Sequence, residues 1–194
     1  MKSAEEFLRQ FSADDVEACS TTERDLQHEN AELAELARKI ENRAVALLAI
    51  REHGARELKA KLLSKFPETD ELLAECQESA GLVGRVVEQV IEHCQQRNWQ
   101  SDDRYIEQAV HSLMEKGQGP LKIRQKLQQA CERSDLIEAH LEMDQADWLD
   151  RIQAVLLKKY GETARPQNRN EQAKRMRFLQ SRGFPPELIW KAFR

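Results

Sequence analysis

The sequence predicts an all-α protein, an elongated array of stacked helical repeats, and three observations carry that expectation. The first is composition: of 194 residues only seven are Gly and five Pro, while a third are charged. Abundant Ala, Leu, Glu, Gln, Lys and Arg favour helix, and so high a charge content makes most helices amphipathic, with one buried stripe and one solvated face. The second is an internal echo between Leu48–Leu62 (LAIREHGARELKAKL) and Leu113–Leu127 (LMEKGQGPLKIRQKL). In both copies an apolar helix end reaches a basic residue (Arg51, Lys116), breaks at Gly54 or Gly119, and restarts with apolar residues four apart beside a shared lysine (Lys61, Lys126). The third is a looser echo of Leu62–Pro67 in Leu179–Pro185, with one residue inserted. A unit that cannot bury its apolar face alone must stack on its neighbours, which exposes a long binding surface.

Each element follows from local pattern. The first forty residues read as an acidic, weakly structured extension, since the apolar patch Phe7, Leu8 and Phe11 is followed by the polar stretch Ser12–Asn30. From Leu33 the spacing Leu36, Ile40, Ala44, Leu47 and Leu48 predicts a helix, and Gly54 a stop. Ala55–Lys65 is the next helix, ended by Phe66-Pro67 because proline disfavours helical geometry in the residue before it. Thr69 caps a short helix to about Cys76, and Gly81 and Gly84 bracket a restart. The stripe Leu82, Val83, Val86, Val87, Val90, Ile91 and Cys94 then outweighs the strand preference of its valines.

Ser101-Asp102-Asp103 combines a capping hydroxyl with carboxylates where a helix dipole is positive, so it predicts a helix start with no catalytic role. That helix stops at Lys116-Gly117. Pro120 opens the next, since the first turn does not need its missing N–H, and Ser134 caps a short third. A helix from about Gln145 to Tyr160 precedes the linker Glu162–Arg169, and two final helices are separated by Gly183 and Pro185-Pro186. No segment reads as a strand.

Several function classes are excluded. There is no glycine-rich phosphate loop after a strand, no HExxH and no GxSxG, and adjacent acid pairs such as Glu5-Glu6 and Asp14-Asp15 lie on solvated stretches. The four cysteines are too widely spaced for a zinc site and read as reduced, small apolar residues. No secretory leader and no apolar run long enough for a bilayer is present, which predicts a cytoplasmic protein without membrane contact, cofactor or catalysis.

Charge is uneven. Residues 1–41 hold eleven acids against five bases, whereas residues 151–194 hold eleven bases against three acids, within a net charge of −4. A basic tail suggests an acidic partner, and the acidic head could fold over the basic surface as its competitor. Lys122, Arg124 and Lys126 alternate with apolar residues on one short helix, and Lys174, Arg175 and Arg177 do so near the end. Placed in stacked units, they predict a basic stripe suited to phosphate or carboxylate.

Three motif groups together resemble the RecX family of regulators of the RecA recombinase. They are Leu47-Leu48-x-x-Arg51-x-His53-x-x-x-Glu57-Leu58-x-x-Lys61-Leu62, then Asp102-Asp103-Arg104-Tyr105 with Lys116-Gly117-x-Gly119-Pro120-x-x-Ile123-Arg124-Gln125-x-Leu127, and finally Arg177-Phe178-Leu179-x-x-Arg182-Gly183-Phe184. The likeness covers roughly residues 40 to 194; Lys65-Phe66-Pro67 stands where the family usually has Lys-Gly-Phe, and residues 67–84 are long for it. It implies three tandem three-helix repeats in a curved array (40–100 with an insertion near 67–84, 101–143 and 144–194) after the extension 1–39. It further implies a monomer that binds RecA and the groove of the RecA-DNA filament, inhibiting recombinase, ATPase and coprotease activities without catalysis, with weak direct DNA binding possible. The contact residues expected on charge are Arg51, Lys61, Lys116, Lys122, Arg124, Lys126, Lys158, Lys174, Arg175, Arg177 and Arg182. The rival reading is a stand-alone helical repeat protein that binds nucleic acid.

Overall fold

The computed structural model describes residues 22–76 and 79–193, with side chains from residue 31 onward, and these residues form ten helices and no strand. In chain order they are α1 (Thr22–Leu48), α2 (Ala55–Lys65), α3 (Asp70–Glu75), α4 (Leu82–Gln96), α5 (Asp102–Glu115), α6 (Pro120–Ala130), α7 (Ser134–Leu141), α8 (Gln145–Tyr160), α9 (Arg169–Arg182) and α10 (Pro186–Ala192). Helices α1, α2 and α4 pack on one another, as do α5, α6 and α7, while α10 packs on both α8 and α9. The result is an array of three three-helix units, with α3 inserted between the second and third helices of the first.

Capping side chains set several starts. Thr69 accepts from the Leu72 N–H at 3.2 Å, Ser101 from the Arg104 N–H at 3.4 Å, and Asn168 from the Asn170 N–H at 2.8 Å. At α4 the cap is remote: Glu68 accepts from the N–H groups of Gly81 at 2.8 Å and Val83 at 3.0 Å, satisfying donors that the glycine cap cannot.

Three boundaries differ from expectation, the smallest being that Arg133 and not Ser134 holds the cap position of α7, with Ser134 as its first residue. Helix α1 already includes Thr22, ahead of the apolar periodicity that starts at Leu33. Once the amphipathic part is nucleated, a run rich in Glu, Arg, Leu and Gln extends the helix at little further free-energy change. Gly84 does not break α4 but lies inside its first turn, and the restart belongs to Gly81 alone. Residues 1–21, with Phe7, Leu8, Phe11 and Cys19, lie outside the described residues, as does any fold of the acidic head over the basic surface.

The buried apolar residues form two separate clusters. One holds Leu36, Ile40, Leu58, Leu62, Val87 and Cys94 and belongs to the first unit. The other runs without interruption through the second and third, from Ile106 and Ile123 to Trp148, Leu179 and Phe184, where Trp148 meets Phe184 edge-on with ring centroids 6.4 Å apart. Units two and three therefore share a core, and unit one has its own.

The two joints differ accordingly. Between units one and two Gly54 packs closely on Ala130 and Cys131, and the rest of the joint is built on polar contacts: Asp102 Oδ1 accepts from the Ala55 N–H and from Gln100 Nε2, both at 2.8 Å, and Gln100 Nε2 also donates to the His53 carbonyl at 3.1 Å. Arg104 adds a 2.7 Å pair with Glu52. Asp102 thus does more than start α5, because it also caps α2 of the neighbouring unit. Between units two and three backbone meets backbone, with the Gly119 N–H donating to Arg182 O at 2.8 Å and the Leu121 N–H to Gly183 O at 3.0 Å. At both joints the second helix of one unit begins against the end of the second helix of the next, so α2 starts at α6 and α6 starts at α9.

Candidate partner-binding face

Lys116 is the pivot of the face. It is the C-cap of α5, where the chain turns toward α6, and its exposed side chain borders two grooves. The first, about 380 Å³ in volume, lies between the α1–α2 turn, α5 and α6, and sets Arg51, Lys116 and Lys126 around Tyr105, Leu113 and Leu127. The second, about 390 Å³, lies between the end of α5, α8 and α9; its apolar floor includes Met114, Val155 and Phe178. Lys116, Arg151, Lys158, Lys159 and Arg182 ring it.

Partners distinguish these bases from others in the chain. Among the described residues no carboxylate holds Lys116, Lys126, Arg151, Lys158 or Lys159, so each remains available to an outside anion. Arg182 is fixed without being neutralised: its guanidinium lies 5.2 Å from the centroid of Phe178 and donates to the Lys116 carbonyl at 3.1 Å. Seven cations, all but Arg51 without a carboxylate partner among the described residues, surround two apolar-floored grooves and make a surface that attracts phosphate or carboxylate groups and repels cations.

The expected contact residues divide by position. Arg51, Lys116 and Lys126 come together in the first groove, and Lys116, Lys158 and Arg182 in the second. Lys61 borders a hollow with Arg43 and Glu57 next to the first groove. Lys122 shares a helix face with Lys126, four residues on, but its Nζ is engaged by Ser181 O at 3.1 Å.

Others leave the expected stripe. Arg124 is bound to Glu138 on α7 through two hydrogen bonds of 2.5 and 2.7 Å, which raise its pKa. It points away from Lys122 and Lys126 because residues two apart on a helix diverge by about 200°. Arg175 is buried, its Nη2 2.5 Å from Glu162 Oε1 and its guanidinium 4.7 Å from the Tyr160 ring centroid, so it clamps the α8–α9 linker and offers nothing to a partner. Lys174 and Arg177 are exposed on α9 and border neither groove.

Two residues of the face, Arg151 and Lys159, were not singled out from sequence as contacts. Their signal was present: Arg151, Val155, Lys158 and Lys159 fall at i, i+4, i+7 and i+8, one flank of α8 beside the buried line Trp148, Ile152 and Leu156.

Within the first unit one carboxylate serves two bases. Glu57 Oε1 lies 2.5 Å from Arg51 Nη2 and 3.1 Å from Lys61 Nζ. Burial alone raises the Glu57 pKa, but the hydrogen bonds from Arg51 and Lys61 outweigh it and hold the carboxyl at about 2. Thiol chemistry is disfavoured elsewhere, since burial and then Asp102 push the Cys131 thiol up to about 12, and burial raises Cys94 as well.

Comparison with known proteins gives a consistent result. Residues 101–141 match the family model of the second three-helix domain of RecX, and residues 145–193 that of the third. The chain is 32% identical over 164 residues to the regulatory protein RecX of Serratia proteamaculans, covering 79% of this chain and 95% of that one. It is 36% identical over 146 residues to RecX of Acidithiobacillus ferrooxidans, covering 75% and 83%. The crystal structure of RecX from Lactobacillus salivarius superposes with a TM-score of 0.62 at 20% identity, covering 82% of this chain and 95% of that chain. A second RecX crystal structure gives 0.64 at 17% identity, covering 97% and 86%.

Proposed function

Because the chain belongs to the RecX family of regulatory proteins, we propose that it binds the RecA recombinase and the RecA-DNA filament and restrains recombinase, ATPase and coprotease activities by occupancy alone. The observation that carries this reading is the run of unneutralised cations around Lys116, which spans the second and third units without a break. A partner that is itself repetitive and anionic can meet such a surface at several points at once. The three units, 40–100, 101–143 and 144–194, would each offer a face to it. Among the described residues no helix is long and apolar enough to cross a membrane, and no group of three metal-ligating side chains gathers.

The test is single-stranded-DNA-dependent ATP hydrolysis by RecA with substoichiometric amounts of this protein. The expected result is inhibition that deepens with preincubation and is relieved by removing charge at Lys116, Lys158 and Arg182 together; full ATPase activity at every ratio would count against it. The rival, binding of nucleic acid by itself, predicts affinity for bare DNA that persists without RecA and falls steeply with salt, as counterion release requires.

A further inference from the structure

The sixty-five-residue echo that relates units one and two contains one charge reversal. Glu57 stands six residues after Arg51 and four before Lys61, and the residue in the matching place of unit two, six after Lys116 and four before Lys126, is Lys122. The consequence for the surface is large. In unit one Glu57 draws both bases onto a single carboxylate, whereas in unit two no acid lies between Lys116 and Lys126 and both side chains stay free.

We propose that Glu57 marks the end of the anion-binding face: it occupies Arg51 and Lys61 as an internal anion, so that the filament is gripped through units two and three and only weakly through unit one. The inference rests on the reading that the basic face contacts the RecA-DNA filament. It adds which residue limits that contact and where. Arg51 borders the same groove as Lys116 and Lys126, so removing the carboxylate would extend one continuous cationic track and not create a second, separate site. His53 adds no charge of its own there, because burial and then the Arg51 and Lys61 charges lower its pKa, favouring the neutral ring.

The experiment measures binding of the full chain to RecA filaments on single-stranded DNA across a salt series, for the parent protein and the variants Glu57→Gln, Glu57→Gln with Lys61→Ala, Lys122→Gln, Lys122→Glu and Lys126→Ala. Glu57→Gln is expected to tighten binding about threefold to tenfold at low salt and to steepen the log affinity against log salt line by about one unit, the signature of about one further anion contact. Adding Lys61→Ala should return affinity toward the parent value. Lys122→Glu, which installs the clamp in unit two, should weaken binding more than Lys122→Gln does. If Lys126→Ala weakens binding but Glu57→Gln does not tighten it, the role of Glu57 is overturned while the basic face stands. If Lys126→Ala and Lys122→Glu both leave binding unchanged, the basic face itself is wrong. Should Glu57→Gln fail to fold, the Lys122 pair decides, and equal affinities for Lys122→Glu and Lys122→Gln would overturn the proposal.

Discussion

Gly119 lies so close to Gly183 that a Cβ on Gly119 would fall 2.5 Å from the Gly183 carbonyl oxygen. Backbone occupies both sides of the contact, so neither can turn away as a side chain would. Gly119→Ala is therefore expected to destabilise the protein by about 1–3 kcal/mol, the range for overpacking a close contact. Gly54→Ala should behave alike, since its Cβ would meet Ala130 O at 2.4 Å. Gly84→Ala has open space within α4 and should stabilise by about 0.4–1 kcal/mol. Urea midpoints for the three variants check the ordering.

The separate cores predict separate opening. Leu62→Ala, in the fully buried core of unit one, should remove about 2–5 kcal/mol locally. Hydrogen exchange is expected to speed up in α1, α2 and α4 while amides in α5 to α10 keep most of their protection, because the two bodies have separate apolar cores. Equal loss of protection throughout would show that the joint transmits the full defect.

Acid should loosen the structure in two windows. His53 is buried with a pKa below its ordinary 6.5, so the unfolded chain takes up the proton first. Stability from this group is complete above about 6.5 and declines as pH falls from there toward the folded value. Glu57, held at about 2 against an ordinary 4.5, contributes stability above 4.5 that is lost as pH falls toward 2. Urea unfolding at a series of pH values, with His53→Gln and Glu57→Gln, should remove the upper and lower slopes respectively.

Arg124 and Arg175 should separate from the face in function. Arg124→Ala is expected to leave inhibition of RecA ATPase within about twofold of the parent, since Glu138 already neutralises it. Arg175→Ala should lower thermal stability by about 1–3 kcal/mol through loss of the Glu162 and Tyr160 contacts. Arg175→Met should recover part of that, because the aliphatic stem fills the same space. Inhibition by well-folded Arg175→Met should match the parent.

The helices were legible because their ends are written locally: Thr69, Ser101, Pro120 and Gly183 act within a turn of where they stand. The face was legible only in part. Lys116 and Lys126 stand out in the sequence because they occupy matching places in the repeated segment, beside Arg51 and Lys61 of the first copy. Arg124 leaves the face because it stands two residues from Lys122 and from Lys126, a turn of about 200° that brings it against Glu138 on α7. Arg175 was misplaced because its partner Glu162 sits thirteen residues upstream in a linker, and no periodicity links the two. The polar joint was hidden for the same reason: Ala55 and Asp102 are forty-seven residues apart, and nothing local in either segment names the other.

The end-to-end meeting of α9, α6 and α2 turns helix length into a ruler. Helix α6 has eleven residues and is about 16 Å long at 1.5 Å per residue. That distance separates the joint at Gly119 from the joint at Ala130 and Gly54. Length here can change only in whole residues, and each added or deleted residue would shift unit one by about 1.5 Å and swing it by about 100°. The protein can tolerate altered side chains along α6 far more easily than an altered count, so the phase between successive units is stored as an integer in the middle helix.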